Sequence, residues 1–319
     1  MKKILTTAAV LLISAVAMFS CSRSKKADGT ITVGFSQVGA ESAWRVANTE
    51  SIQSEAKKRP NIKLIFSDAQ QKQENQIKAI RNFIAQGVDV IAFSPVVETG
   101  FEAVLQEAKE AGIPVILVDR TVDVQDDSLW ATFMGSDFVE EGRKAARWLI
   151  ENGYTNVKIA ELQGTVGSAP AIDRKKGFEE VIADHPGMVI IKSQSGNFTR
   201  SGGKEIMEAF LKTEGKNINV LFSHNDDMAI GAIQAIEEYG LVPGKDIIIV
   251  SIDGVRGAFE AMIKGKLNCT VECSPLLGPQ LFDAVEALSR GESIPKKIVT
   301  KEGVFPQKVA AEVINSRAY

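Results

Sequence analysis

The sequence predicts an α/β protein of two doubly wound units with parallel sheets. Three observations point there. After Ile31, short β-branched runs alternate with amphipathic helical stretches about eight times. Most of these runs are continuously apolar, as strands buried on both faces are. The length, 319 residues, suits two domains of about 150 residues each. Hydrophobic residues make up 45% and charged residues 24%, which excludes long disorder, collagen and a polytopic membrane protein. The formal net charge of -3 gives no pull toward nucleic acid or anionic lipid. Three Cys and two His exclude a disulfide scaffold and leave few ligands for a metal site.

The leader comes first. Lys2 and Lys3 form a positive start, residues 4–19 are mostly apolar and uncharged, and Ser20-Cys21 follows. This is the layout of a secretory signal peptide over residues 1–20, too short and wrongly flanked for a membrane-spanning helix. Cys21 resembles the lipid-modified Cys of bacterial lipoproteins, although Met18-Phe19-Ser20 stands where Leu and two small residues are usual. An uncleaved anchor or a plain signal peptide are the alternatives. Residues 21–30 are polar and small, as a tether should be.

Strand-like runs then follow at 31–36, 62–68, 88–94, 114–119, 156–162, 188–194, 218–224 and 246–252. Helical spacing separates them. Ile77, Ile80, Phe83 and Ile84 recur on one face, and Gly87 ends that helix. Ile230, Ile233 and Ile236 do the same before Gly240. Eight βα units could close into one barrel or open into two sheets. The last fifty residues favour two sheets, because runs at 269–274 and 296–302 flank a helix around Leu281–Leu288. A single barrel has no use for these late strands. Two units with the chain crossing between them more than once do.

In such folds ligands bind outside the carboxyl ends of the strands, so the residues following each run are the candidates. Trp44 and Arg45 open the first helix; they either pack and solvate or offer a ring face and a guanidinium fork. Asp119-Arg120 is either a surface ion pair or a hydroxyl clamp. Residues 163–168 form a glycine-containing loop that fits no phosphate-binding pattern. Phe198, Asn225 and Asp253 follow three later runs. Asn and Asp often cap helices, yet six polar or aromatic groups at successive strand ends exceed what capping needs. Asp, Asn and Arg with aromatic rings is chemistry suited to a neutral polyol.

Six strings carry a resemblance to a known family: GFSQVGAESAWR, DAQQKQENQIKAIRNFIAQGVD, ELQGTVGSAPAIDRKKGF, SQSGNFTRSGGKE, HNDDMAIGAIQAI and SIDGV. The chain resembles the type I periplasmic sugar-binding proteins of ABC transporters, of the ribose- and galactose-binding group, and within it the galactofuranose binders. The resemblance implies two Rossmann-like lobes joined by three hinge strands. The first lobe would take residues 31–133 and 274–303, the second 134–273 and 304–319. It implies a ligand set of Ser36, Glu41, Trp44, Arg45, Asp119, Arg120, Arg174, Phe198, Asn225, Asp253 and, near the second hinge, Glu272 rather than Cys273. It also implies capture of a monosaccharide, most closely galactofuranose, by a monomer that delivers it to an inner-membrane ABC permease.

No cofactor and no metal are expected. The acids of residues 123–128 lack the central Gly of a calcium loop. Cys269 and Cys273, four apart in a strand, would stand roughly 13 Å apart, beyond disulfide reach. Two other functions share the fold. A sugar sensor would pass its ligand state to a chemoreceptor or sensor kinase. An exported enzyme would use paired acids such as Asp226-Asp227, but these lie beside Asn or Arg, and neither His224 nor His185 has a catalytic setting.

Overall fold

The structure, a computed structural model, describes residues 29–319. The signal peptide, Cys21 and the tether up to residue 28 lie outside the described residues. The first lobe takes β1 (Ile31–Gln37), α1 (Ala43–Lys58), β2 (Ile62–Asp68), α2 (Gln73–Gln86), β3 (Val90–Phe93), α3 (Glu102–Glu110), β4 (Val115–Val118) and β5 (Thr132–Gly135). The second takes α4 (Phe138–Glu151), β6 (Val157–Gln163), α5 (Ala169–Ile182), β7 (Met188–Ser195), α6 (Arg200–Glu214), β8 (Val220–Ser223), α7 (Asp226–Glu238), β9 (Ile248–Asp253), α8 (Arg256–Ile263) and β10 (Cys269–Glu272). The chain returns for α9 (Gly278–Arg290) and β11 (Lys297–Val299), then crosses again to β12 (Val304–Pro306) and α10 (Ala310–Val313).

The sheet orders are β2-β1-β3-β4-β5-β11 and β7-β6-β8-β9-β10-β12. Every strand pairing is parallel except that of β10 with β12. Both orders reverse beside their first strand, the switch point at which doubly wound sheets open a crevice. The two lobes therefore present the carboxyl ends of their strands to one shared cleft.

Local chemistry accounts for the elements. All seven residues of β1 are buried, because helices cover both of its faces. Val33 and Phe35 join Ile52, Leu281 and Phe282 on the α1/α9 side. Gly34 turns to the other face, where a Cβ would stand 2.4 Å from the Phe83 ring. Helix starts are capped by side-chain oxygens: Ser42 accepts from the Arg45 N–H, Asp137 from Glu140, Thr199 from Gly202 and Asn225 from Met228. In the second lobe Phe178 and Phe222 stack with centroids 4.0 Å apart, each worth about 1.5–3 kcal/mol of burial. Helices α4 and α5 touch at backbone distance. A Cβ on Gly142 would lie 2.1 Å from the Arg174 carbonyl, and one on Gly177 would lie 1.9 Å from that of Val139.

Three differences from the sequence expectations have physical causes. β5 is a strand that the pattern did not separate, since its four residues follow a polar, acid-rich loop. It runs to Gly135, so Met134 and Gly135, expected in the second lobe, complete the first sheet. β12 is three residues long and ends in Pro306 at a sheet edge, where a missing N–H costs no ladder bond. The crossings between lobes are tied together by Glu302. Its carboxylate accepts from the Ser136 hydroxyl at 2.5 Å and the Ser274 N–H at 3.0 Å, so one side chain holds residues of all three connections.

Candidate functional site

At the mouth of β1 the chain turns through Glu41 into α1, whose first turn carries Trp44 and Arg45. After β4, Asp119 takes a positive φ of 66°, which turns Arg120 toward the cleft. From the second lobe come Phe138 at the start of α4, Pro170 and Arg174 on α5, Phe198 after β7, Asn225 capping α7 and Asp253 at the end of β9. All of these, with Ser42 and Cys273, line one cavity between the lobes. Phe198 and Asp253 also have positive φ, 61° and 135°. Such conformations cost about 1–3 kcal/mol each and persist only where the surroundings hold them. Gly164 leaves the space for Phe198, since a Cβ there would meet the ring at 1.9 Å.

Charge is arranged in two opposed groups. In the first lobe, Arg45 donates to Asp119 Oδ2 at 2.7 Å and to Glu41 Oε1 at 3.1 Å. Arg120 is held by the carbonyls of Val96, at 3.2 Å, and Pro95, at 3.4 Å. Its guanidinium lies 5.4 Å from the Phe198 ring of the other lobe. In the second lobe, Arg174 donates to Glu141 Oε2 at 2.7 Å and to the His224 carbonyl at 2.6 Å, and lies 3.8 Å from Asp253 Oδ1. Trp44 donates its indole N–H to the Cys273 carbonyl at 2.7 Å, which fixes the ring against the hinge.

Burial sets the protonation. It drags the Arg120 guanidinium down to about 10, with the neighbouring Arg45 charge adding to the fall. Burial acts the same way on Arg174, but Glu141 and Asp253 outweigh it and keep that group above its ordinary value. Asp253 is pushed well above the carboxylate range by burial, against the pull of Arg174. Three buried polar atoms of the cavity-lining residues have no hydrogen-bond partner: Glu41 Oε2, Arg120 Nε and Asp253 Oδ2. Two carboxyl oxygens and a guanidinium N–H, drawn from both lobes, are thus unsatisfied. Buried polar groups are ordinarily paired, and these three keep their pairing capacity beside the cavity.

Residues 33–293 match the periplasmic binding protein domain family. The chain belongs to that family. It is 51% identical over 313 residues to the galactofuranose-binding protein YtfQ of Escherichia coli, covering 97% of each chain. A solved arabinose-transporter binding protein from Shewanella sp. ANA-3, bound to α- and β-L-arabinofuranose, is 56% identical with a TM-score of 0.87 over 90% of this chain and 95% of that one. A Mycobacterium smegmatis protein in complex with β-D-fucofuranose is 52% identical with a TM-score of 0.87, over 90% of this chain and 94% of that one. The family is one of exported, periplasmic solute-binding proteins, and among the described residues no helix is long and apolar enough to cross a membrane.

Two residues assigned from the sequence do not line the cavity of this periplasmic binding protein. β1 runs one residue past Ser36, so Ser36 stays inside the sheet with its hydroxyl buried. Glu272, chosen over Cys273, faces away. It accepts from Arg317 at 2.8 Å and from the Gly303 N–H at 3.0 Å. Side chains alternate along a strand, and the next residue, Cys273, turns into the cleft. Sequence reasoning missed Ser42, Phe138, Pro170 and Cys273 on the cavity wall, and Glu141 behind Arg174. Glu141 lies in an ordinary amphipathic helix, and nothing local marks it. The string APAIDR places Pro170 one helical turn before Arg174, and that spacing could have found it.

Glu141, Cys273 and Glu302 also bring metal-capable atoms within 4.8 Å of one another. Within the protein Glu302 accepts from Ser136 and Ser274, and Glu141 uses Oε2 on Arg174 while its Oε1 has no hydrogen-bond partner. Burial, and then the charge of Glu141, push the Glu302 carboxyl up to about 9. Cys269 and Cys273 are both free and buried. His224 is sealed at 0% exposure beside Glu161, 3.1 Å away, where no substrate reaches it.

Proposed function

We propose that the protein captures a monosaccharide in its five-membered-ring form, galactofuranose or a close analogue, between its lobes and delivers it to an ABC permease. The observation that carries this reading is the trio of unpartnered buried atoms, Glu41 Oε2, Arg120 Nε and Asp253 Oδ2, around one cavity. Ring hydroxyls would pair with them, while Phe198 and Trp44 cover C–H faces. With the lobes shut the cavity, about 20 Å³, has room for little more than a water, so the ring would enter with the lobes apart. The furanose sugars held by the Shewanella and Mycobacterium proteins support the ring form.

The site reads as a binder and not an enzyme. Its acids are placed beside guanidinium groups, and among the described residues no nucleophile of the cavity stands next to a free base. We extend the reading to a lipid anchor at Cys21, on the strength of the apolar leader that ends there; mass spectrometry of the membrane fraction tests it. For the sugar, protein unfolded and refolded to strip ligand is titrated in a calorimeter with galactose, L-arabinose, D-fucose, ribose and glucose. Heat is expected with galactose, arabinose or fucose. No heat with any of the five overturns the reading.

A further inference from the structure

Asp227 has no part in the cavity, yet its carboxylate, 6% exposed, lies between the lobes. It is the second residue of α7 in the second lobe. Its Oδ2 accepts the Ala43 N–H at 2.7 Å, and Ala43 is the first residue of α1 in the first lobe. Its Oδ1 accepts Arg200 Nη2 at 2.7 Å and Nε at 3.1 Å, from the first residue of α6. One carboxylate therefore sits at the N-termini of α7 and α1, where the aligned peptide dipoles favour negative charge, and holds the side chain that opens α6. Ser42 caps α1 only at the Arg45 N–H, so the Ala43 N–H is a helix-end donor that Asp227 satisfies from across the cleft.

We infer that Asp227 is a closure clasp: it binds the first turn of α1 only when the lobes are shut, and so slows release of the sugar. The inference rests on the furanose-binding reading and adds a positioning residue to it. The next two residues of α1 are Trp44 and Arg45, both on the cavity wall. Holding Ala43 thus holds the part of the first lobe that covers the ligand. When the lobes part, the Ala43 N–H returns to water, while Arg200 stays with Asp227 inside the second lobe. Another contact across the cleft, the Glu98 N–H to the Gly167 carbonyl at 2.9 Å, is backbone to backbone and carries no charge. A contact made only in the closed state shifts the population toward it without touching ligand.

The clasp separates from a sugar contact in kinetics and in selectivity. Stopped-flow fluorescence on ligand-stripped wild type, Asp227→Ala and Asp227→Asn is followed with galactose and with arabinose. The release rate should rise about tenfold in Asp227→Ala (the factor equals ~1.4 kcal/mol), by the same factor for both sugars, with the association rate unchanged. Asp227→Asn keeps an acceptor for the Ala43 N–H and should fall between. Ligand-free Asp227→Ala also loses the Arg200 pair inside the second lobe and should melt below wild type, so the release rate, and not the melting temperature, reads the clasp. Unchanged release from both variants overturns the clasp. So does a loss confined to one sugar, which would make Asp227 a ligand contact. Absence of any sugar signal in wild type instead overturns the furanose reading.

Discussion

Arg120 and Asp253 line the same cavity from different lobes, and each keeps a buried polar atom that lacks a partner. Removing either leaves the ligand hydroxyl it should meet desolvated and unpaired. Calorimetry should show Arg120→Ala and Asp253→Ala each weakening sugar binding by about 2–4 kcal/mol. Unchanged affinity in both would remove them from the site. Glu272 supplies the control. Its carboxylate is spent on Arg317 and the Gly303 N–H, outside the cavity, so Glu272→Gln should hold affinity to within about 0.5 kcal/mol. At this scale the sequence was most legible where a residue ends a strand and least where register decides. Asp119-Arg120, Asn225 and Asp253 follow apolar runs and could be picked out by that position. Glu272 and Cys273 differ by one residue, and a strand turns them to opposite faces. No composition or spacing resolves that choice.

Elements set how firmly these groups are held. Arg174 projects from α5, and α5 is located by its glycine contact with α4, where Gly177 meets the Val139 carbonyl. Gly177→Ala forces the helices apart and should cost about 1–3 kcal/mol of stability, read as a lower melting temperature. Sugar affinity should fall with it, because Arg174 moves. A variant with wild-type melting and affinity would show that the helices do not need the close approach. The strong elements were plain in the sequence: continuous apolar runs gave β1, β3, β4, β8 and β9, and helical periodicity gave α2 and α7. The short hinge strands β5 and β12 were not, since four and three residues carry too little pattern to stand out from loops. Their pairing is decided by sheet edges that only the assembled lobes create.

Across the whole molecule, closure brings Glu98 of the first lobe toward Asp173 of the second. Burial, then the charges of Asp173 and Asp123, lift the Glu98 carboxyl from its ordinary 4.5 to about 7. Asp173 is raised as well, by burial and by Asp137, against Lys176 and Lys297. The sign follows from linkage. A raised acid binds more protons in the closed state than in the open one, where the lips are apart, so acid favours closure. That contribution is present in full below about pH 4.5 and is lost as pH rises through about 7. Sugar affinity should therefore be higher at pH values below 7 than above, and Glu98→Gln should flatten the slope. An unaltered slope in the variant would place the proton elsewhere.

The two-lobe division is a property of the whole chain and was legible only from the late return of strands after residue 268. The near-neutral composition, uninformative by itself, fits a cleft where guanidinium and carboxylate groups balance around an uncharged ring. The central claim is that this cleft selects the five-membered ring of a sugar that is mostly six-membered in water. Carbon-13 NMR of galactose labelled at C1, bound to ligand-stripped protein at stoichiometric ratio, reads the ring form directly. A bound anomeric signal of the furanose form is the expected result. A bound signal from the pyranose form alone, or no bound signal at all, would contradict it.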